Sequence, residues 1–350
     1  MPRSSIELQT KPQTNKLFGL EIGRGIAASL VVLYHVARIL EQYAQTQVTP
    51  LDFFQFGHAG VDFFFVLSGF IIFYVHEQHI NKTSYLPVYL WRRVTRIYPI
   101  YWIALVSTLI LGFLHSQHLP DLQTFTRSFF LLPGNYKLPL DVAWTLVAEM
   151  QFYIFFGIFI VNRWVGLMLF LAWQGITIAS YFELYPAPYF PVSAYHLQFL
   201  MGIIAAYGTQ KLGTIPYLLH SSIVVFLGVS LLENTAIIDG YGNIARLLYG
   251  IPSMGILIGL TGLKNPPQNK LIARILGVLG SSTYSIYLFH LLFISVFLFV
   301  AKSLIPGILH NVWVLFIPTV CFGIIGGVLV SILIELPLLK YTKGLFPKKA

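Results

Sequence analysis

Cysteine is nearly absent from this chain: Cys321 is the one thiol in 350 residues. That excludes an internal disulfide and leaves no cysteine pair for a metal site, so no metal is expected. Charge is scarce as well, at 10% of residues, where soluble domains carry roughly 25%, and acidic residues number 13 against 22 basic ones. A chain with so little charge has too few ionic groups to cover a water-facing surface. Long polar stretches, low-complexity segments and internal repeats are missing too, which argues against an appended soluble domain.

What fills the chain is apolar: 56% hydrophobic residues and a mean hydropathy of +0.73. Several runs reach the roughly 20 residues that cross a hydrocarbon core as helix. Continuous runs rather than short alternating strands exclude a β-barrel. The expected fold is therefore all-α, a polytopic helical bundle with about ten spans near 18–40, 57–76, 97–115, 143–161, 164–182, 194–210, 217–233, 244–263, 281–301 and 312–335. Residues 1–350 read as one transmembrane domain with a short tail over 1–17 and a basic tail over 338–350. No small-residue cleavage site follows the first run, so it reads as a retained helix. Pro337 is expected to stop the last one, and 264–280 to be a connection.

Lysine and arginine orient the spans. With both termini cytoplasmic, inside segments hold Arg3, Lys11, Lys16, Lys82, Arg92, Arg93, Arg96, Arg163, Lys211, Lys264, Lys270, Arg274, Lys340, Lys343, Lys348 and Lys349, while outside loops hold Arg127 and Lys137, with Lys302 at a border. This asymmetry follows the positive-inside rule. The net charge of +9 is then mostly topology, and no nucleic acid is expected.

Five groups of residues do not belong in lipid. Arg24 and His35 share the first span; at about 100° per residue they lie on one face, about 16 Å apart along the axis. Snorkelling of Arg24 and packing of His35 is the structural alternative, and a shared face favours a polar cavity. Asp62 and Ser68 interrupt the aromatic second span, with His58 just before it. Arg92, Arg93 and Arg96 form a cluster suited either to phosphate oxygens or to anionic headgroups. Glu149 enters the fourth span by about a turn and a half, at the depth expected for His35, and a carboxylate there would raise the basicity of a histidine. Arg246 is the competing partner for Glu149. Tyr284, Ser285, Tyr287 and His290 make a polar stripe on the ninth span, and Glu335 near the chain's end reads as a structural partner for basic groups.

The order of these motifs resembles that of the membrane-bound acyltransferase-3 family: an arginine, ten residues and a histidine (Arg24, His35), then GVDFFFVLSGF, RRVTRIYPIYW, WTLVAEMQFY, STYSIYLFH and IELP. The resemblance runs from about residue 18 to 340. ARLLYGIPS, at 245–253, resembles the exopolysaccharide-modifying branch, and Thr145 stands where the family often has serine. The resemblance implies a bacterial inner-membrane enzyme that moves an acyl group, usually acetyl, from cytoplasmic acyl-coenzyme A to a hydroxyl of a lipid-linked or polymeric glycan. No permanently bound cofactor is implied; acyl-coenzyme A is a co-substrate. His35 and Glu149 would be catalytic, and Arg24, Arg92, Arg93 and Arg96 would bind donor or shape the site. Ser68, Tyr284, Ser285, Tyr287 and His290 would contact the oxyanion or the acceptor. A secondary transporter of a small anionic or glycan-related substrate is the alternative, because intramembrane Arg, His and Glu also build substrate pathways. A scaffold, with these groups as helix glue, is the third.

Overall fold

The computed structural model describes residues 18–45, 48–116, 119–134, 136–181, 194–213, 215–263 and 267–344. The tail over 1–17, Lys264 and the final basic residues Lys348 and Lys349 lie outside them. The described residues are helices and turns, with no strand among them. In chain order the helices are α1 (Phe18–Glu41), α2 (Leu51–Phe54), α3 (Gly60–His76), α4 (Leu86–Ser116), α5 (Leu122–Phe129), α6 (Trp144–Val161), α7 (Arg163–Tyr181), α8 (Tyr195–Leu212), α9 (Leu218–Asn234), α10 (Asn243–Thr261), α11 (Lys270–Ser281), α12 (Thr283–Leu304), α13 (Val312–Val330) and α14 (Leu336–Gly344). Helix and lipid go together, because only a helix or a closed barrel satisfies its backbone polar groups in hydrocarbon.

Each expected span coincides with one long helix. Among the described residues seven of them are long and apolar enough to cross a membrane: α1, α3, α4, α6, α10, α12 and α13 with their short extensions. Helices α7, α8 and α9 lie on the other three expected spans but outside that set; α9 has 17 residues, and α8 carries His196, Gln198 and Lys211. The protein is a multi-pass membrane protein.

Three local expectations change. The third span is part of a 31-residue helix that runs through Pro99, so Arg92, Arg93 and Arg96 sit on the same continuous helix as the span. Residues 270–281 are helical rather than a connection, capped by the Asn269 side chain on the amides of Leu271 and Ile272. Pro337 does not stop the last helix. The chain widens into a π-helical turn over Ser331–Glu335 and continues as α14. Pro337 thus lies inside one unbroken helical run, Val312–Thr342, and the widened turn just before it, where Leu336 N–H reaches back to the Ser331 carbonyl, is where a helix absorbs a proline.

The bundle is centred on α1 and α3. Helix α3 packs most intimately on α8, and two glycines allow it. A Cβ at Gly69 would run into the Phe199 carbonyl, and one at Gly202 into the Val66 carbonyl. Small residues at such crossings let backbones meet without a side chain between them. Gly69→Val is therefore expected to lower the unfolding temperature in detergent, or the yield of folded protein, far more than Gly112→Val, where a Cβ meets open space. Equal stability of the two variants would refute this account of the crossing.

Candidate active site

Arg24 and His35 do share α1, but they open into different cavities. Arg24 lines a cavity of about 310 Å³ bounded by α1, α3, α4, α6 and α12, with Ser68, Arg93, Arg96, Glu149, Tyr153, Tyr284 and Tyr287 in its wall. His35 lines a second, of about 480 Å³, with Tyr34, Arg38, Gln42, Asp141, Tyr241 and Leu291. The two linings share no residue. Between them stands a wall of rings. Phe64 meets Tyr287 edge-on at 6.1 Å, Tyr287 lies 6.1 Å from His290, and His290 lies 5.0 Å from His35.

The first cavity is built around a carboxylate among guanidinium groups. Glu149 accepts hydrogen bonds on Oε1 from Ser68 Oγ at 2.7 Å and from the Tyr153 hydroxyl. The Arg93 guanidinium lies over the Tyr153 ring, 5.5 Å from its centre. Arg24 is within electrostatic reach of Glu21, Glu149 and Glu335, and of Arg96. The arginine cluster divides: Arg93 and Arg96 face the cavity, whereas the exposed Arg92 donates to the Tyr85 hydroxyl at 3.0 Å.

The expected meeting of Glu149 with His35 does not occur. Matching depths on two spans gave a common height, but the rotation of α6 about its axis aims Glu149 at α3. Nor does Glu149 hold Arg246. That arginine is nearly fully buried and donates through Nη1 to Asp62 Oδ2 at 2.7 Å and to the Tyr195 hydroxyl at 2.9 Å. Gln198 Nε2 bonds both Asp62 Oδ1 at 2.5 Å and the Arg246 carbonyl at 2.8 Å. A buried charge needs such a partner set, since desolvation alone would expel it.

The polar stripe of α12 is largely committed to helix packing. Tyr284 donates to the Ile97 carbonyl at 3.0 Å, and Ser285 to Glu335 Oε2 at 2.6 Å. The Tyr287 hydroxyl lies 2.9 Å from Thr145 Oγ1 and 3.1 Å from the Val142 carbonyl. Their hydroxyl protons have acceptors already, so none stands free to meet an oxyanion in this arrangement. Glu335 is held by the Ser285 hydroxyl and, as expected, lies within electrostatic reach of a basic group, Arg24.

Around His35 the sequence reading missed most of the neighbours. Tyr34 and Tyr241 share a hydrogen bond of 2.5 Å between hydroxyls, and Arg38 donates to both, at 3.0 Å and 3.2 Å. His58 stacks on Tyr241 at 4.8 Å and binds Glu233 at 2.8 Å, which accepts from Tyr249 at 2.5 Å. Arg38 was readable, three residues past His35 on the same face. Tyr241 lies in a turn between α9 and α10, where no periodicity marks it. Among the described residues no group of three or more His, Cys, Asp or Glu is placed to hold a metal ion.

The fold and site are those of a membrane-embedded helical bundle with arginines converging on an interior cavity and a histidine one ring beyond it, and sequence comparison supplies the family. The chain belongs to the acyltransferase-3 family: the family's acyltransferase domain matches residues 17–336. It is an acyltransferase. Over 308 residues it is 30% identical to the exopolysaccharide production protein ExoZ of Rhizobium meliloti (strain 1021), covering 82% of this chain and 91% of ExoZ. Over 289 residues it is 26% identical to ORF330 of Acidianus two-tailed virus, whose name provisionally calls it an acetyltransferase, covering 77% and 81%. No solved structure matches it.

Proposed function

We propose that the protein O-acylates, in the first place O-acetylates, a hydroxyl of an exported or surface polysaccharide at the bacterial inner membrane, using cytoplasmic acyl-coenzyme A. The observation that carries this is the convergence of Arg24, Arg93 and Arg96 on one cavity that ends a histidine's width short of His35. Guanidinium forks suit the diphosphate of coenzyme A. The same cavity's wall adds Leu67, Ile71 and Ile72, apolar neighbours for the pantetheine arm. Its volume is small for a whole coenzyme, so the nucleotide stays at the arginine end and the thioester reaches inward. To meet His35 the acyl carbon passes the Tyr287–His290 wall, which has to part. The acceptor enters the second cavity from the opposite face. The relative named for exopolysaccharide production supports a glycan in that place.

In this reading His35 is the general base on the acceptor hydroxyl, and transfer is direct. Glu149 no longer orients it; it balances the arginines that hold the donor. Arg93→Ala and Arg96→Ala should each weaken acyl-coenzyme A binding about tenfold, the loss of one charge-assisted hydrogen bond. Arg92→Ala should change it less than twofold. Calorimetric titration of the purified variants reads this directly, and donor binding unchanged in all three would return the cluster to a headgroup role.

Reconstituted protein given acetyl-coenzyme A and glycan should release free thiol in step with acylated glycan. Mass spectrometry of the surface glycan, with and without the gene, identifies both the group and its acceptor. Glycan uptake into vesicles with no thioester consumed would replace this function with transport.

A further inference from the structure

His290 is fully buried, and one of its two ring nitrogens is unaccounted for. Nδ1 lies 2.8 Å from the Tyr287 carbonyl and 3.1 Å from the Ile286 carbonyl of its own helix. A carbonyl can only accept, so Nδ1 carries the proton; the tautomer is assigned by its partners. A second proton on Nε2 would make a buried cation with nothing to receive it, which is costly. Nε2 is therefore a bare lone pair, buried and without a hydrogen-bond partner. Because Nδ1 is tied back along α12, Nε2 points away from that helix, and the imidazole of His35 on α1 lies 5.0 Å away between ring centres. With His290 held by its two carbonyls, a turn of the His35 ring suffices, since 5.0 Å between ring centres accommodates an N···N hydrogen bond of about 2.7–3.2 Å.

His35 has the complementary vacancy. The groups that act on it electrostatically are His290 of α12, Arg38 of its own helix and His58 ahead of α3, with Tyr34 packed edge-on at 5.0 Å and Asp141 and Tyr241 across the cavity. Among the described residues no carboxylate is hydrogen-bonded to it. A histidine base needs one nitrogen fixed as N–H so that the other is free to take a proton, and elsewhere a carboxylate does this.

We propose that His290 is the positioning residue of His35: its Nε2 accepts the N–H of one His35 nitrogen and so directs the other at the acceptor hydroxyl. This rests on the acyltransferase reading above. The acceptor oxygen then bonds the acyl carbon as its proton passes to His35, the carbon–sulfur bond breaks, and His35 returns that proton to the departing coenzyme A thiolate. Throughout, His290 keeps its own Nδ1 proton and holds the imidazolium through its lone pair. An oxyanion contact, expected for His290 from the sequence, is excluded by the same tautomer, because Nε2 has no proton to donate.

Two variants separate this role from simple packing. His290→Phe keeps a ring and loses the acceptor; His290→Gln keeps an acceptor oxygen and loses the ring. Expected are a kcat about 100-fold lower for the Phe variant, KM for acetyl-coenzyme A and glycan within about twofold of wild type, and a kcat within about tenfold for the Gln variant. If the Phe variant does not accumulate, His290→Met, apolar and adaptable, takes its place. Wild-type kcat in the Phe or Met variant overturns the proposal, as does a loss equal in the Gln variant or one confined to KM. The wild-type protein is assayed alongside: absence of thioester cleavage there defeats the acyltransferase reading itself, whereas the variants bear on His290 alone.

Discussion

His35→Ala is expected to reduce acyl transfer to the glycan by about 10²–10⁴-fold, the range over which a positioned acid–base group acts. Binding of acyl-coenzyme A should persist, because the arginines belong to the other cavity. The check is a pair of measurements on one preparation: donor affinity by titration, and acylated glycan by mass spectrometry. Separation of the two effects is the specific result. Loss of donor binding along with turnover would mean that the two cavities act as one. Turnover near wild type would remove His35 from the chemistry, leaving it a packed histidine between Tyr34 and His290.

The second large effect is on stability. Asp62 and Arg246 form a buried ion pair 184 residues apart in sequence, with nothing of Asp62 exposed and 2% of Arg246. It joins α3 to α10, and Gln198 brings in α8. Removing one partner leaves an uncompensated charge, so Asp62→Ala or Arg246→Ala should cost about 3–5 kcal/mol. Thermal unfolding in detergent would show a large drop, or no folded protein. The double variant Asp62→Leu with Arg246→Met should recover much of the loss, since an apolar pair of similar volume needs no desolvation. A double variant as unstable as the singles would show that Gln198, Tyr195 and the Gly240 carbonyl, which also accepts from Arg246 Nη2, matter more once left behind than the charges.

The sequence made the helices legible because lipid demands long apolar runs, and ten expected spans fall on ten helices. It also made the Arg24–His35 face legible, because a rigid 3.6-residue period carries angle and height over eleven residues of one helix. Between helices that logic fails. Glu149 and His35 share an expected height, yet the azimuth of α6 is set by packing against α7, α4 and α3 that no period in α6 records, so Glu149 lands on Ser68 and Tyr153. The same holds for Arg246, whose partner Asp62 reads as an isolated interruption in an aromatic span. The ARLLYGIPS stretch, which resembles the exopolysaccharide branch, thus holds an arginine whose visible work is to lock three helices. Turn residues such as Tyr241 are the least legible of all, since a turn has no repeating face. Pro337 misled for another reason: a proline need not end a helix when a π-helical turn just before it takes up the missing hydrogen bond, and the helix runs on through it.

The ring wall of Phe64, Tyr287 and His290 also bears on the membrane's energy supply. A passage connecting the two faces of a bilayer, lined by arginine, histidine and tyrosine, would admit water, and water carries protons down their gradient. Buried rings standing between two separate cavities interrupt any such water column. On the proposed acyl route, transfer and the cell's insulation depend on the same few side chains, so a variant that props the wall open, such as Tyr287→Ala, should uncouple proton-loaded vesicles even where it still transfers acyl groups.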